Sequence, residues 1–125
     1  MVHVKKFKEG PWRIPLYLVW GGSYAETALR MKARFGFVDT KDVGEGSFYL
    51  GRCMHLKNAG IIIIILGRWR SSPKTLSVLV HECFHAVEFV FDWRDIPHSN
   101  DTSEAWAYTL DNIFTTTLEM LNENP

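Results

Sequence analysis

The segment VLVHECFHAVEFVF, residues 78–91, sets two histidines and a glutamate into an otherwise apolar run. His81 and His85 are four residues apart, so on a helix they lie one turn apart on the same face. Two imidazoles so placed can each aim a nitrogen at a single ion about 2.0–2.1 Å away, the length of a zinc–histidine bond. Glu82 sits about 100° further round the helix. It is too displaced to join the two ligands, yet close enough to reach a water between them. The pattern therefore couples two metal ligands to a general base, which is the chemistry of metal-assisted hydrolysis. A chain of this composition yields such a pattern by chance about 0.01 times. The competing reading is a solvated polar face.

A catalytic zinc takes three protein ligands and keeps a fourth position open. The downstream candidates for the third are Glu88, Asp92, Asp95, His98, Asp101 and Glu104. Glu88 and Asp92 continue the same helix and would strain to close on one ion, while His98 and Asp101 fall on a loop that fixes no aim. Glu104 opens the next helix, far enough along for the chain to turn and come back, and is the preferred third ligand. His98 is the runner-up. A glutamate in a first helical turn also serves as a partner of the helix dipole, which is the plain structural alternative for Glu104.

Supporting elements follow from pattern and punctuation. PLYLVWG (15–21) reads as a strand, and Ser23 with Glu26 has capping-box spacing for a helix stopped by Gly36, with Ala28, Leu29, Met31 and Phe35 as its expected core face. Residues 40–46 read as a loop and 46–56 as a strand that Gly51 bends or bulges. Lys57–Gly60 turns the chain into IIIIIL (61–66), six apolar residues without alternation, which implies a strand covered on both faces. Ser72-Pro73 is a helix entry, so the metal helix should run over 73–92, about 30 Å. A loop over 93–101 leads to a last helix capped by Thr102 or Ser103. The expected order is β-α-β-β-α-α, an α+β layout with helices packed on a small sheet.

The bulk properties set bounds. At 125 residues with 46% hydrophobic content the chain reads as one domain, 1–125, with a proper core. Fourteen basic residues balance fourteen acidic ones, so nothing points to nucleic acid or an anionic membrane as partner, and Lys5, Lys6 and Lys8 read as a solvated end. The opening residues have no apolar leader core, and IIIIIL is far too short to span a bilayer. Cys53 and Cys83 are read as small buried hydrophobes in a reducing cytoplasm.

His81-Glu82-Cys83-Phe84-His85, followed after a short loop by Ser103-Glu104-Ala105-Trp106-Ala107-Tyr108, resembles the gluzincin-type zincins. The likeness is greatest to small zincin-like proteins encoded by tailed phages and prophages, over about residues 73–115. A weaker similarity extends to the metallopeptidases that cleave phage repressors. The resemblance implies a minimal zincin fold, Zn2+ held by His81, His85 and Glu104, Glu82 as catalytic base and a peptide or protein substrate in the host cytoplasm. It also departs from the family. The metzincin pattern is excluded, since Val87 and Phe91 stand where it needs glycine and histidine. Thermolysin-like enzymes have an aspartate where this chain has Tyr108, which is either a donor to a developing oxyanion or a buried aromatic. Asp111 is a candidate to orient a ligand histidine.

Three functions remain open on sequence. The first is a zinc peptidase. The second is a non-catalytic zincin-fold protein that binds a host factor. The third is a structural zinc domain, with a fourth ligand such as His98 or Asp101 closing the site.

Overall fold

The computed structural model describes residues 1–36 and 51–123. Its elements are β1 (His3–Lys8), β2 (Pro15–Trp20), α1 (Tyr24–Phe35), β3 (Gly51–Leu56), β4 (Ile61–Leu66), α2 (Pro73–Trp93) and α3 (Ser103–Glu123). The class is α+β, but the order is β-β-α-β-β-α-α and not β-α-β-β-α-α. The added strand is β1, which pairs antiparallel with β2 from His3 opposite Trp20 to Lys8 opposite Pro15. Its lysines are the reason it reads as a solvated end: charge of that kind is what keeps an edge strand from pairing with other chains. The expected loop over 40–46 and the first residues of the strand expected from 46 lie outside the described residues.

The sheet runs β1-β2-β4-β3, with β2 and β4 parallel and the other pairs antiparallel. β4 is therefore a central strand. Ile62, Ile63, Ile64 and Ile65 are all fully buried, so the absence of alternation in IIIIIL reflects cover on both faces. Leu16, Leu18, Ile62 and Ile64 point to the face carrying α2 and α3. Tyr17, Val19, Ile63 and Ile65 point to the face carrying Met31 of α1. β3 and β4 form the expected hairpin through residues 57–60, closed by Gly60 at φ 67°.

Local chemistry sets the helix starts. Ser23 and Glu26 form the capping box of α1 at 3.2 Å in both directions. Ser72 caps α2, Pro73 occupies its first turn, and Thr75 ties back to the carbonyl of Arg70 at 2.6 Å. One detail of α1 differs from expectation: Leu29 is 71% exposed, and Thr27 joins Met31 as the buried pair. Among the described residues no helix is long and apolar enough to cross a membrane.

Candidate metal centre

Leu79, Cys83, Ala86, Val87, Val90 and Phe91 are the apolar positions that pin α2 to the sheet and to α3. They define the helix rotation, and that rotation turns His81 and His85 outward together. Their Nε2 atoms stand 3.1 Å apart, with the rings edge-on at 79°. Two nitrogens bound tetrahedrally to one zinc at 2.0–2.1 Å would be separated by about 3.3 Å. The pair fits a zinc ion on that measure. His81, Glu82 and His85 each offer an atom within 4.8 Å of the others, and they are the described residues so grouped.

Glu88 supplies a feature that ligand counting misses. Its carboxylate lies 2.8 Å from His85 Nδ1. Nδ1–H then donates to Glu88 and leaves the Nε2 lone pair facing His81, the tautomer a metal ligand requires. Glu88 follows His85 by three residues, so the signal was present in the helical spacing.

Glu82 turns the other way, toward the start of β3, and is only 7% exposed. Burial raises its pKa above the ordinary value of 4.5, with His81, His85 and Arg52 acting in the opposite sense. Its place depends on Gly51. A Cβ there would meet Val78 Cγ1 at 2.8 Å and Glu82 Cγ at 3.1 Å. Gly51 pairs in register with Leu66, so its role is close approach by α2, where the sequence suggested a bend or bulge.

The remaining candidates are more scattered. Glu104 is in the first turn of α3, exposed and outside the His81–Glu82–His85 group. Tyr108 is 65% exposed, so its buried-aromatic alternative does not hold. Asp111 accepts from Thr115 Oγ1 at 3.4 Å, on its own helix. His98 packs edge-on against Trp106, whose ring stacks on Phe91 of α2 at 4.8 Å. Phe84 is 45% exposed and not in the core, whereas Cys83 is fully buried with its thiol pushed up to about 12 by desolvation. Cys83 Sγ lies 3.6 Å from Thr117 Oγ1, a packed and unreactive setting.

A cavity of about 400 Å³ opens directly beside His85. One wall is α2, through His85, Glu88, Phe89 and Asp92; the other is formed by Ile96, Pro97, His98 and Trp106. No protein-family model matches the chain, and neither a curated protein nor a solved structure does.

Proposed function

We propose that the chain is a zinc-dependent peptidase of the zincin type, with His81 and His85 as metal ligands, Glu104 as the third and Glu82 as general base. The observation that carries the reading is the pair of Nε2 atoms 3.1 Å apart with a buried carboxylate one residue away. The α+β layout, with the HExxH helix laid on a mixed sheet, is consistent with it. Glu104 is assigned from its place at the start of α3, a helix that packs against α2 through Trp106 on Phe91.

A zinc ion bound there would polarise the scissile carbonyl and lower the pKa of water toward about 7. Glu82 would take a proton from the attacking water and deliver it to the departing amine. A carboxylate whose pKa is raised by burial is a better match to that double duty than an ordinary surface glutamate. Glu88 holds His85 in the tautomer that presents Nε2. Solvent-exposed His81 leaves one flank of the group open for a substrate to enter.

The test is to measure bound zinc and peptide hydrolysis for the wild type, Glu82→Gln and Glu104→Ala. The expected result is that Glu82→Gln keeps zinc and loses cleavage, and that Glu104→Ala loses both. A wild-type chain that binds no zinc would end the reading. Zinc held without cleavage of any peptide would favour the non-catalytic binding protein.

A further inference from the structure

Beyond His85 and Glu88, the groove they line has a composition that the metal chemistry does not use. His85, Glu88 and Asp92 follow one another at i, i+3 and i+7, so they line one face of α2. Along the axis Asp92 stands about 10 Å beyond His85, and Glu88 about 4–5 Å beyond it. Phe89 lies beside them on the same helix, and across the groove stand Ile96, Pro97, His98 and Trp106. The cavity is thus apolar along its length and anionic toward its far end.

The two carboxylates differ in how far they are already engaged. Glu88 holds His85 Nδ1 at 2.8 Å. Asp92 has no ion pair or side-chain hydrogen bond among the described residues. The nearest arginine in sequence, Arg94, turns away and donates to the carbonyl oxygen of Trp12 at 2.8 Å. His55 is close enough to feel the charge of Asp92, but burial and Lys57 hold that ring's pKa below its ordinary value. Among the described residues Asp92 is thus left without an ion-paired partner at the end of the groove that begins at His85.

A lysine or arginine side chain matches this arrangement in length, stem and tip. An extended lysine stem reaches roughly 6 Å from its Cα. Rooted in a peptide beside the metal pair, its ammonium falls between Glu88 and Asp92. Its methylenes, or the plane of a guanidinium, lie against Phe89, Ile96 and Trp106. A glutamate in the same place would meet two like charges, and a short apolar residue would leave the far end unfilled. We propose that this groove is the specificity pocket for a lysine or arginine of the substrate, with Asp92 selecting the positive charge. The proposal rests on the peptidase reading for the word substrate, but the recognition itself can be measured without turnover.

The experiment uses the full chain loaded with zinc and labelled peptides identical except for one residue, lysine, arginine, alanine or glutamate, with binding followed by fluorescence anisotropy. Wild type should bind the lysine and arginine peptides at least tenfold more tightly than the alanine peptide. Asp92→Asn should bring that ratio close to one, and Asp92→Lys should invert it in favour of glutamate. Asp92 is exposed, so these variants should keep the wild-type melting curve, and that is checked alongside. A wild type that does not distinguish lysine from alanine, or an Asp92→Asn variant with the ratio unchanged, would overturn the pocket. Cleavage of the same peptides separates the two ideas. Charge-selective binding without any cleavage defeats the peptidase and keeps the pocket, while cleavage without charge selection does the reverse.

Discussion

Glu9, in the turn between β1 and β2, and Glu82, in the middle of α2, are the buried carboxylates among the described residues, at 1% and 7% exposure. Burial raises the pKa of both. Their surroundings have little else in common. Glu82 has two imidazoles and Arg52 opposing its desolvation and lies within 4.8 Å of a converging histidine pair. Glu9 has only the backbone N–H of Trp12, at 3.2 Å from Oε2, and its Oε1 is buried without a partner. A perturbed carboxylate alone therefore does not mark a site. What distinguishes Glu82 is the convergence of other groups on the same point.

That contrast is most directly broken by neutralising each carboxylate. Glu82→Gln should reduce kcat/KM by about 10²–10⁴-fold, the usual contribution of a positioned acid–base group, with zinc content unchanged. Glu9→Gln should leave kcat/KM where it is. If both variants lost activity alike, or neither did, the assignment of Glu82 as the base would fail.

The next largest effect belongs to Gly51, which lets α2 lie against β3 and so buries Glu82. Gly51→Ala places a Cβ 2.8 Å from Val78 Cγ1, closer than real contacts allow. The expected cost is about 1–3 kcal/mol of stability from overpacking, read as a lower unfolding midpoint in urea. Activity should fall further than stability, because Glu82 Cγ is the second atom displaced. Glu88→Ala should act on the other half of the site. It removes the partner of His85 Nδ1 and should weaken zinc binding by about 10–100-fold in a competition titration. An unchanged zinc affinity would show that Glu88 is only a surface neighbour.

Much of this was legible in the sequence because it is local. Helical spacing alone brings His81 to His85, and His85 to Glu88, and Ser72-Pro73 announces where that helix begins. The cover of β4 on both faces was foreshadowed by five consecutive isoleucines, which no half-exposed strand would carry, whereas its central place in the sheet depends on which strands pair with it. Strand β1 was hidden because an edge strand has little to bury, and its lysines look like those of a solvated terminus. The role of Gly51 was misread for a different reason. A glycine in a strand signals either a bulge or a close approach, and only the position of α2 decides between them. Glu104 depends on how α3 is set against α2, a nonlocal relation that spacing along the chain does not encode.

The smallest predicted effect returns to Glu9 and is one of sign. A carboxyl whose folded pKa is raised binds its proton more tightly in the native state than in the unfolded chain. Its contribution is therefore fully present below the ordinary value of 4.5 and is lost as pH rises through the higher folded value. Glutamine keeps the shape and the acceptor for Trp12 but carries no charge to desolvate. Glu9→Gln should then be close to neutral at pH 4 and more stable than wild type at pH 7, by up to about 1 kcal/mol. Metal-free Glu82→Gln should shift in the same direction, since burial is the cause the two residues share. Adding zinc should raise the midpoints of the wild type and of both variants, which all keep the proposed ligands, without altering the Glu9 increment. Urea midpoints at the two pH values decide it, and a Glu9→Gln variant less stable at pH 7 than wild type would mean that its buried carboxylate has a compensating partner after all.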